Sequence, residues 1–196
     1  MMATHASSLD LGRLGIESRK LGMWLFLASE VMFFTGLIGA YIVIRQAQPN
    51  WPIPSSILNI PLTAVNTFIL ICSSATLVKG LASAKDGDTE GMQVGLFLTV
   101  LLGALFLTIQ MHEYRELLHD RHFTPSGSIF GSCFFTLTGF HGMHVLVGVL
   151  CMLFVFIRSL RGKYTPEEYR GIEIAGLYWH FVDLVWIILF TVLYLI

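Results

Sequence analysis

Five side chains able to exchange a proton or bind a ligand stand inside long apolar runs: Glu30, His141, His144, His180 and Asp183. His141 and His144, in FHGMH, are three residues apart, as are His180 and Asp183 in WHFVD, so on helices each pair projects from one side. Carboxylates and imidazoles so placed suit proton relay. Two histidines at i,i+3 can also ligate a metal, although a lone HxxH lacks the third ligand and open position that such a site needs. Histidines facing one another across helices could hold a haem. The plain alternative is a satisfied hydrogen-bond network that fixes helix packing, and spacing alone leaves these readings open. Cys72, Cys133 and Cys151 are isolated in apolar sequence and read as packing residues rather than as disulfide or metal ligands.

The elements that must carry these groups follow from composition. Of 196 residues, 55% are hydrophobic and only 13% charged, about half the charged share of a globular domain, and mean hydropathy is +0.70. Lipid is the solvent this composition suits. A net charge of −1 without a basic stripe gives no reason to expect nucleic acid. Apolar runs long enough to cross a membrane cover 21–45, 60–79, 92–113, 128–158 and 174–196. The expected fold is all-α, an integral membrane bundle of five transmembrane helices forming a single transmembrane domain over 1–196.

The connections agree. Pro49, Pro52 and Pro54 disfavour helix between the first two spans, Lys79 to Gly91 reads as a charged turn, and Pro125 and Pro166 predict helix starts in the last two connectors. Met1 to Leu11 is polar and lacks a cleavable signal pattern. No internal repeat suggests inverted transporter halves. With the N-terminus cytoplasmic, Arg13, Arg19, Lys20, Lys79, Lys85, Arg158, Arg161, Lys163 and Arg170 lie inside, and Arg45, Arg115 and Arg121 outside. Nine against three predicts a cytoplasmic N-terminus and a periplasmic C-terminus.

Glu30 follows Lys20 by ten residues, which places it roughly 15 Å into a hydrocarbon core about 30 Å thick. A carboxylate there costs about 2.5–3.5 kcal/mol on insertion scales, so it is expected to face protein or water. The same count puts His141, His144, His180 and Asp183 in the middle or inner half of the membrane, where one buried polar network is predicted. Gly22, Gly36, Gly39, Gly139, Gly142 and Gly148 read as helix-packing positions, and Trp24, Tyr178, Trp179, Trp51 and Tyr194 as interfacial aromatic belts. On these grounds the chain could be a transporter built on Glu30 and Asp183, a haem-binding membrane cytochrome, or a subunit of something larger.

Three motifs narrow the choice. GMWLFLASEVMFFTG over Gly22 to Gly36, GSCFFTLTGFHGMHVLVG over Gly131 to Gly148, and YWHFVDLVW over Tyr178 to Trp186 resemble, in order, the signatures of subunit III of the haem-copper terminal oxidases. Glu30 matches that family's buried glutamate, and the similarity extends from about Arg19 to the last helix. Larger members have seven helices, of which this chain resembles the last five; the missing pair forms one arm of a lipid-holding cleft. Arg158 and Arg161 match the basic end of the penultimate helix, where lipid head groups are held, though ordinary positive-inside anchoring would also account for them.

The resemblance implies a subunit without a redox centre or active site of its own, in a complex that couples oxygen reduction to proton translocation in a bacterial cytoplasmic membrane. Haem and copper belong to subunit I, the direct partner, and electrons enter through subunit II; phospholipids and a small subunit IV complete the expected partners. Subunit III is implied to stabilise subunit I and support proton uptake. Quinol oxidases carry a similar subunit in which aspartate commonly replaces the glutamate, so Glu30 tilts the reading toward cytochrome c as donor.

Overall fold

A computed structural model describes residues 18–196; the amino-terminal segment, with the signal-peptide reading and Arg13, lies outside the described residues. The long helices are α1 (Ser18–Ala47), α3 (Ile60–Asp86), α4 (Thr89–His119), α5 (Ile129–Leu160) and α6 (Arg170–Phe190), with a short α2 (Pro54–Ile57) after α1 and a π-helical turn, Thr191–Leu195, continuing α6. All five long helices are apolar and long enough to cross a membrane. No strand occurs among the described residues.

Helix ends are set by local chemistry. Asn59 accepts from the Leu62 amide at 3.3 Å, Asp88 from Gly91 at 3.0 Å and Ser128 from Gly131 at 2.9 Å, each satisfying an orphan N–H at a helix start. Gly87 closes α3 at φ 79°, the left-handed conformation that glycine adopts without steric cost. The break between α3 and α4 is therefore two residues, and both helices run past their apolar spans, α3 through Lys85 and α4 through Arg115. Pro125 and Pro166 lie in the loops: α5 starts at Ile129 behind its Ser128 cap, and α6 at Arg170.

Helix α6 is central. Its apolar window is 56% buried, against 17% for α1, which packs on α6 and crosses α5. Helices α3 and α4 form a tight antiparallel hairpin. A side chain on Gly95 would come within 2.6 Å of the Gly80 Cα and 2.9 Å of the Thr76 carbonyl oxygen, so the backbones touch where both positions lack one. Facing stripes of small, polar and apolar groups line the seam: Thr63, Thr67, Leu70, Ser73 and Leu77 on α3, and Thr99, Phe106, Gln110 and Glu113 on α4.

The indole of Trp179, on α6, fills a slot walled by Gly103 of α4 and Gly148 of α5, where an added Cβ would meet it at 2.6 and 2.8 Å. Its Nε1 donates to Ser73 Oγ at 3.0 Å on α3, so one side chain ties four helices together. Trp179 and Tyr194 are only 1% and 2% exposed, and Tyr178 is also buried. These three are core residues rather than belt residues, because an amphipathic ring satisfies its polar atom as well against a buried hydroxyl as against interfacial water. Trp24 stays exposed, as a belt residue would be.

Three polar contacts anchor the peripheral α1 at its ends. Lys20 Nζ pairs with Glu173 Oε1 at 2.8 Å near the start of α6. At the opposite end the Tyr41 hydroxyl donates to the Val192 carbonyl at 3.4 Å, and the Arg45 guanidinium to that of Ile196. Between these ends, α1 meets α5 at a crossing near the middle of α1.

Candidate functional site: a carboxylate and an imidazole at the α1–α5 crossing

That crossing is where Glu30 meets His144. Glu30 Oε2 lies 3.0 Å from His144 Nε2, and the two side chains are 18% and 13% exposed, at the rim of the bundle rather than in its middle. His144 Nδ1 lies 2.7 Å from the Phe140 carbonyl oxygen one turn back. A carbonyl oxygen only accepts, so Nδ1 carries a hydrogen. The contact between Nε2 and Oε2 then needs one further proton, carried either by the imidazole as imidazolium or by the glutamic acid. The pair is therefore a two-position proton holder, with its imidazole oriented by backbone.

Aromatic rings surround the holder. Phe34 packs at 5.1 Å from the His144 ring and Phe33 at 6.3 Å, while Phe140 stacks edge-on against Phe33. The Tyr178 hydroxyl donates to the His144 carbonyl at 3.1 Å, bringing α6 to the same level. Apolar surroundings strengthen an electrostatic contact by excluding water.

The other sequence-predicted residues lie elsewhere. His180 Nδ1 sits 2.5 Å from Ser74 Oγ on α3, and Asp183, one turn on, faces the same serine. His141 is fully buried, stacked on Trp186 at 4.8 Å with Phe106 edge-on at 6.2 Å, and neither ring nitrogen has a hydrogen-bond partner. Thus among the described residues the five groups make two separate sets, Glu30 with His144 and His180 with Ser74 and Asp183, while His141 joins neither. A helical spacing of three rotates the second histidine by about 60°, enough to send His144 toward α1 and His141 into the core.

One buried carboxylate escaped the sequence reading. Glu113 is 3% exposed; Thr63 Oγ1 is 3.0 Å from its Oε1, and the Tyr194 hydroxyl is 3.3 Å from both of its oxygens. The signal was available: Thr99, Gly103, Phe106, Gln110, Glu113 and Leu117 recur at four and three residues, one face of a helix. It stands at the last residue of the third apolar span, beside the polar connector that Arg115 and Glu116 open.

A second feature involves Arg158 and Arg161 at the end of α5. The Arg158 guanidinium lies 5.9 Å from the Phe154 ring centre and 5.6 Å from that of Tyr164, whose phenol is pushed up by burial and drawn down in part by the arginine. Beside it opens an apolar groove of about 580 Å³, lined by Phe26 of α1, Leu150, Cys151 and Phe154 of α5, and Ile174 and Tyr178 of α6. Arg161, the C-cap of α5, is exposed.

No three histidine, cysteine, aspartate or glutamate side chains among the described residues converge as metal ligands would. His144 engages both ring nitrogens in hydrogen bonds and His180 engages Nδ1, whereas both nitrogens of the buried His141 are unpartnered.

Fold and site together define a polytopic α-helical membrane protein with a carboxylate–imidazole pair inside the bilayer. Residues 14–196 match the family described as "Cytochrome c oxidase subunit III". The chain is 40% identical over 181 residues to the cytochrome c oxidase subunit 3 of Thermostichus vulcanus, covering 92% of this chain and 88% of that one. It is 42% identical over 182 residues to the Synechocystis protein of the same name, covering 92% and 76%, and 41% over 179 to that of Corynebacterium diphtheriae, covering 90% and 87%. The chain belongs to the cytochrome c oxidase subunit III family, the third subunit of haem-copper oxidases.

Proposed function

We propose that this chain is the non-redox subunit III of a proton-pumping cytochrome c oxidase, packed directly on subunit I in the cytoplasmic membrane of a bacterium with its N-terminus inside. Subunit II, and in some assemblies a small subunit IV, complete the complex; haem and copper reside in the partner subunits, where oxygen is reduced. The positive-inside bias supports the orientation, and Glu30 rather than aspartate favours cytochrome c over quinol. The single transmembrane domain supplies a proton-holding pair and a stabilising surface instead of an active site.

The observation that carries this reading is the Glu30–His144 contact, a proton holder at the rim of the bundle with backbone fixing its imidazole. Such a pair can take up a proton at one atom and release it at the other without a large movement, which supports proton delivery to a neighbouring subunit. The His180, Ser74 and Asp183 set and the buried His141 are assigned to packing. Arg158 and Arg161 are assigned to lipid phosphate, with acyl chains in the groove between α1, α5 and α6.

The first test is affinity purification in a gentle detergent, with an optical spectrum and mass spectrometry of the proteins retained. Large haem- and copper-bearing subunits with oxygen-reducing activity are expected; a chain that consistently emerges alone overturns the assignment. Within the complex, Glu30→Gln is expected to lower proton pumping or hasten turnover-dependent inactivation. Unchanged turnover, pumping and inactivation would remove the carboxylate from any essential role.

A further inference from the structure

The α3–α4 hairpin carries, at and just before its turn, charges of both signs that do not close on each other. Lys79 stands on one wall of a groove of about 330 Å³, and Asp88 and Glu90 stand at its lip. None of the three makes an ion pair within 4.0 Å among the described residues. Asp88 commits Oδ1 to the Gly91 amide at 3.0 Å, which fixes its carboxylate as the cap of α4. The groove exists because Gly91 and Gly95 place no side chains between the two helices, and the backbone contact at Gly80 and Gly95 forbids any from filling it.

Polarity changes along its length. From Asp88 to Leu98 the lining descends roughly 15 Å, from the charged lip past Thr76 to Val94 and Leu98. Exposed Leu101, three residues beyond Leu98 on the same helix face, continues that apolar surface along the membrane-spanning part of α4. Charge at the helix ends with apolar surface beneath is the polarity profile of one bilayer leaflet.

We propose that this groove binds a phospholipid whose head group carries both a phosphate and a primary ammonium, such as phosphatidylethanolamine. Lys79 receives the phosphate as a point charge, and the ammonium donates hydrogen bonds to Glu90 and the remaining oxygen of Asp88. The acyl chains lie along Val94, Leu98 and Leu101. An anionic lipid without an amine brings its charge against two carboxylates, and a choline head group has no N–H to donate. The site lies on a different helix pair from Arg158 and does not depend on the oxidase assignment.

The test is lipid retention by the intact complex after reconstitution into nanodiscs of equal parts phosphatidylethanolamine and phosphatidylglycerol, re-extraction and native mass spectrometry. One phosphatidylethanolamine is expected to be lost in Lys79→Gln and in Glu90→Gln relative to wild type, and to return in Lys79→Arg. Wild type is expected to prefer it over phosphatidylglycerol on the order of fivefold, the effect of about 1 kcal/mol from a charge-assisted contact. Equal retention of the two lipids, or an unchanged count in both Gln variants, overturns the proposal. Both side chains are exposed, so neither variant threatens the fold. If the chain purifies without oxidase subunits, the same count on the chain alone decides the lipid question separately.

Discussion

The α3–α6 core and helix α1 place polar groups inside one membrane protein by opposite rules. In the core, polar side chains bridge helices whose backbones already touch: Trp179 to Ser73, Trp186 to Thr67 at 2.9 Å, and Glu113 with Thr63 and Tyr194. There the hydrogen bonds supplement close packing. Helix α1 buries little of itself and is held at its two ends and at the Glu30–His144 crossing. The Glu30–His144 pair differs from the core groups in standing at the rim, 18% and 13% exposed, where the proposed proton-holding role needs it to meet something beyond the chain.

Breaking the core should therefore cost most. Trp179→Ala empties the slot between Gly103 and Gly148 and removes the indole hydrogen bond to Ser73, and is expected to destabilise the folded chain by about 3–5 kcal/mol, read by denaturant titration in mixed micelles. Gly95→Leu should follow at ~3 kcal/mol, since its side chain would enter the Gly80 backbone; the same titration, with loss of cross-linking between engineered α3 and α4 cysteines, checks it.

Glu113→Leu should cost about 1–3 kcal/mol by leaving the buried Tyr194 hydroxyl without its partner, while Thr63 keeps the Asn59 carbonyl at 3.0 Å; Glu113→Gln keeps a partner for Tyr194 and should cost less than half as much. Equal losses in the two variants would show that hydrogen bonding at this position is not the source. For α1, a double-mutant cycle of Glu30→Gln and His144→Gln should give a coupling of ~1 kcal/mol in stability, in the range of interhelical hydrogen bonds in membranes. Its larger signature should be in proton uptake by the assembled oxidase, while Glu113→Gln leaves uptake unchanged. Uptake lost in both variants would erase the distinction between the two regions. The smallest effect belongs to the partly exposed Lys20–Glu173 pair, where Lys20→Gln should cost under about 1 kcal/mol and less in high salt.

Much of this division could be read in the residues themselves. Apolar length gave the five spans, and the intramembrane charge made Glu30 a site candidate before any partner was visible. The partner was not legible, because i,i+3 spacing defines a helix face but not which neighbour it meets; His141 and His144 share the spacing and face different helices. Glu113 was hidden by position rather than by chemistry: it stands where an apolar span gives way to Arg115 and Glu116, and only the tertiary fold shows that α4 continues past it against Thr63. Tyr194 and Trp179 were ambiguous for another reason, since a ring with one polar atom fits an interface and a hydrogen-bonded core equally well.

The central place of α6 bears on how the protein is made. The ribosome delivers α1 first and α6 after the other four long helices, yet α6 supplies most of what α1 packs against and the indole that joins α3, α4 and α5. The α3–α4 hairpin can close as soon as it is inserted, because its partners are adjacent in sequence. Helix α1 must wait in the bilayer as a lone span until α5 and α6, the helices it packs on, have followed it. Until α5 follows, its glutamate has no imidazole beside it, and its lipid-facing surface is open to an assembly factor or a neighbouring subunit before its own bundle can claim it.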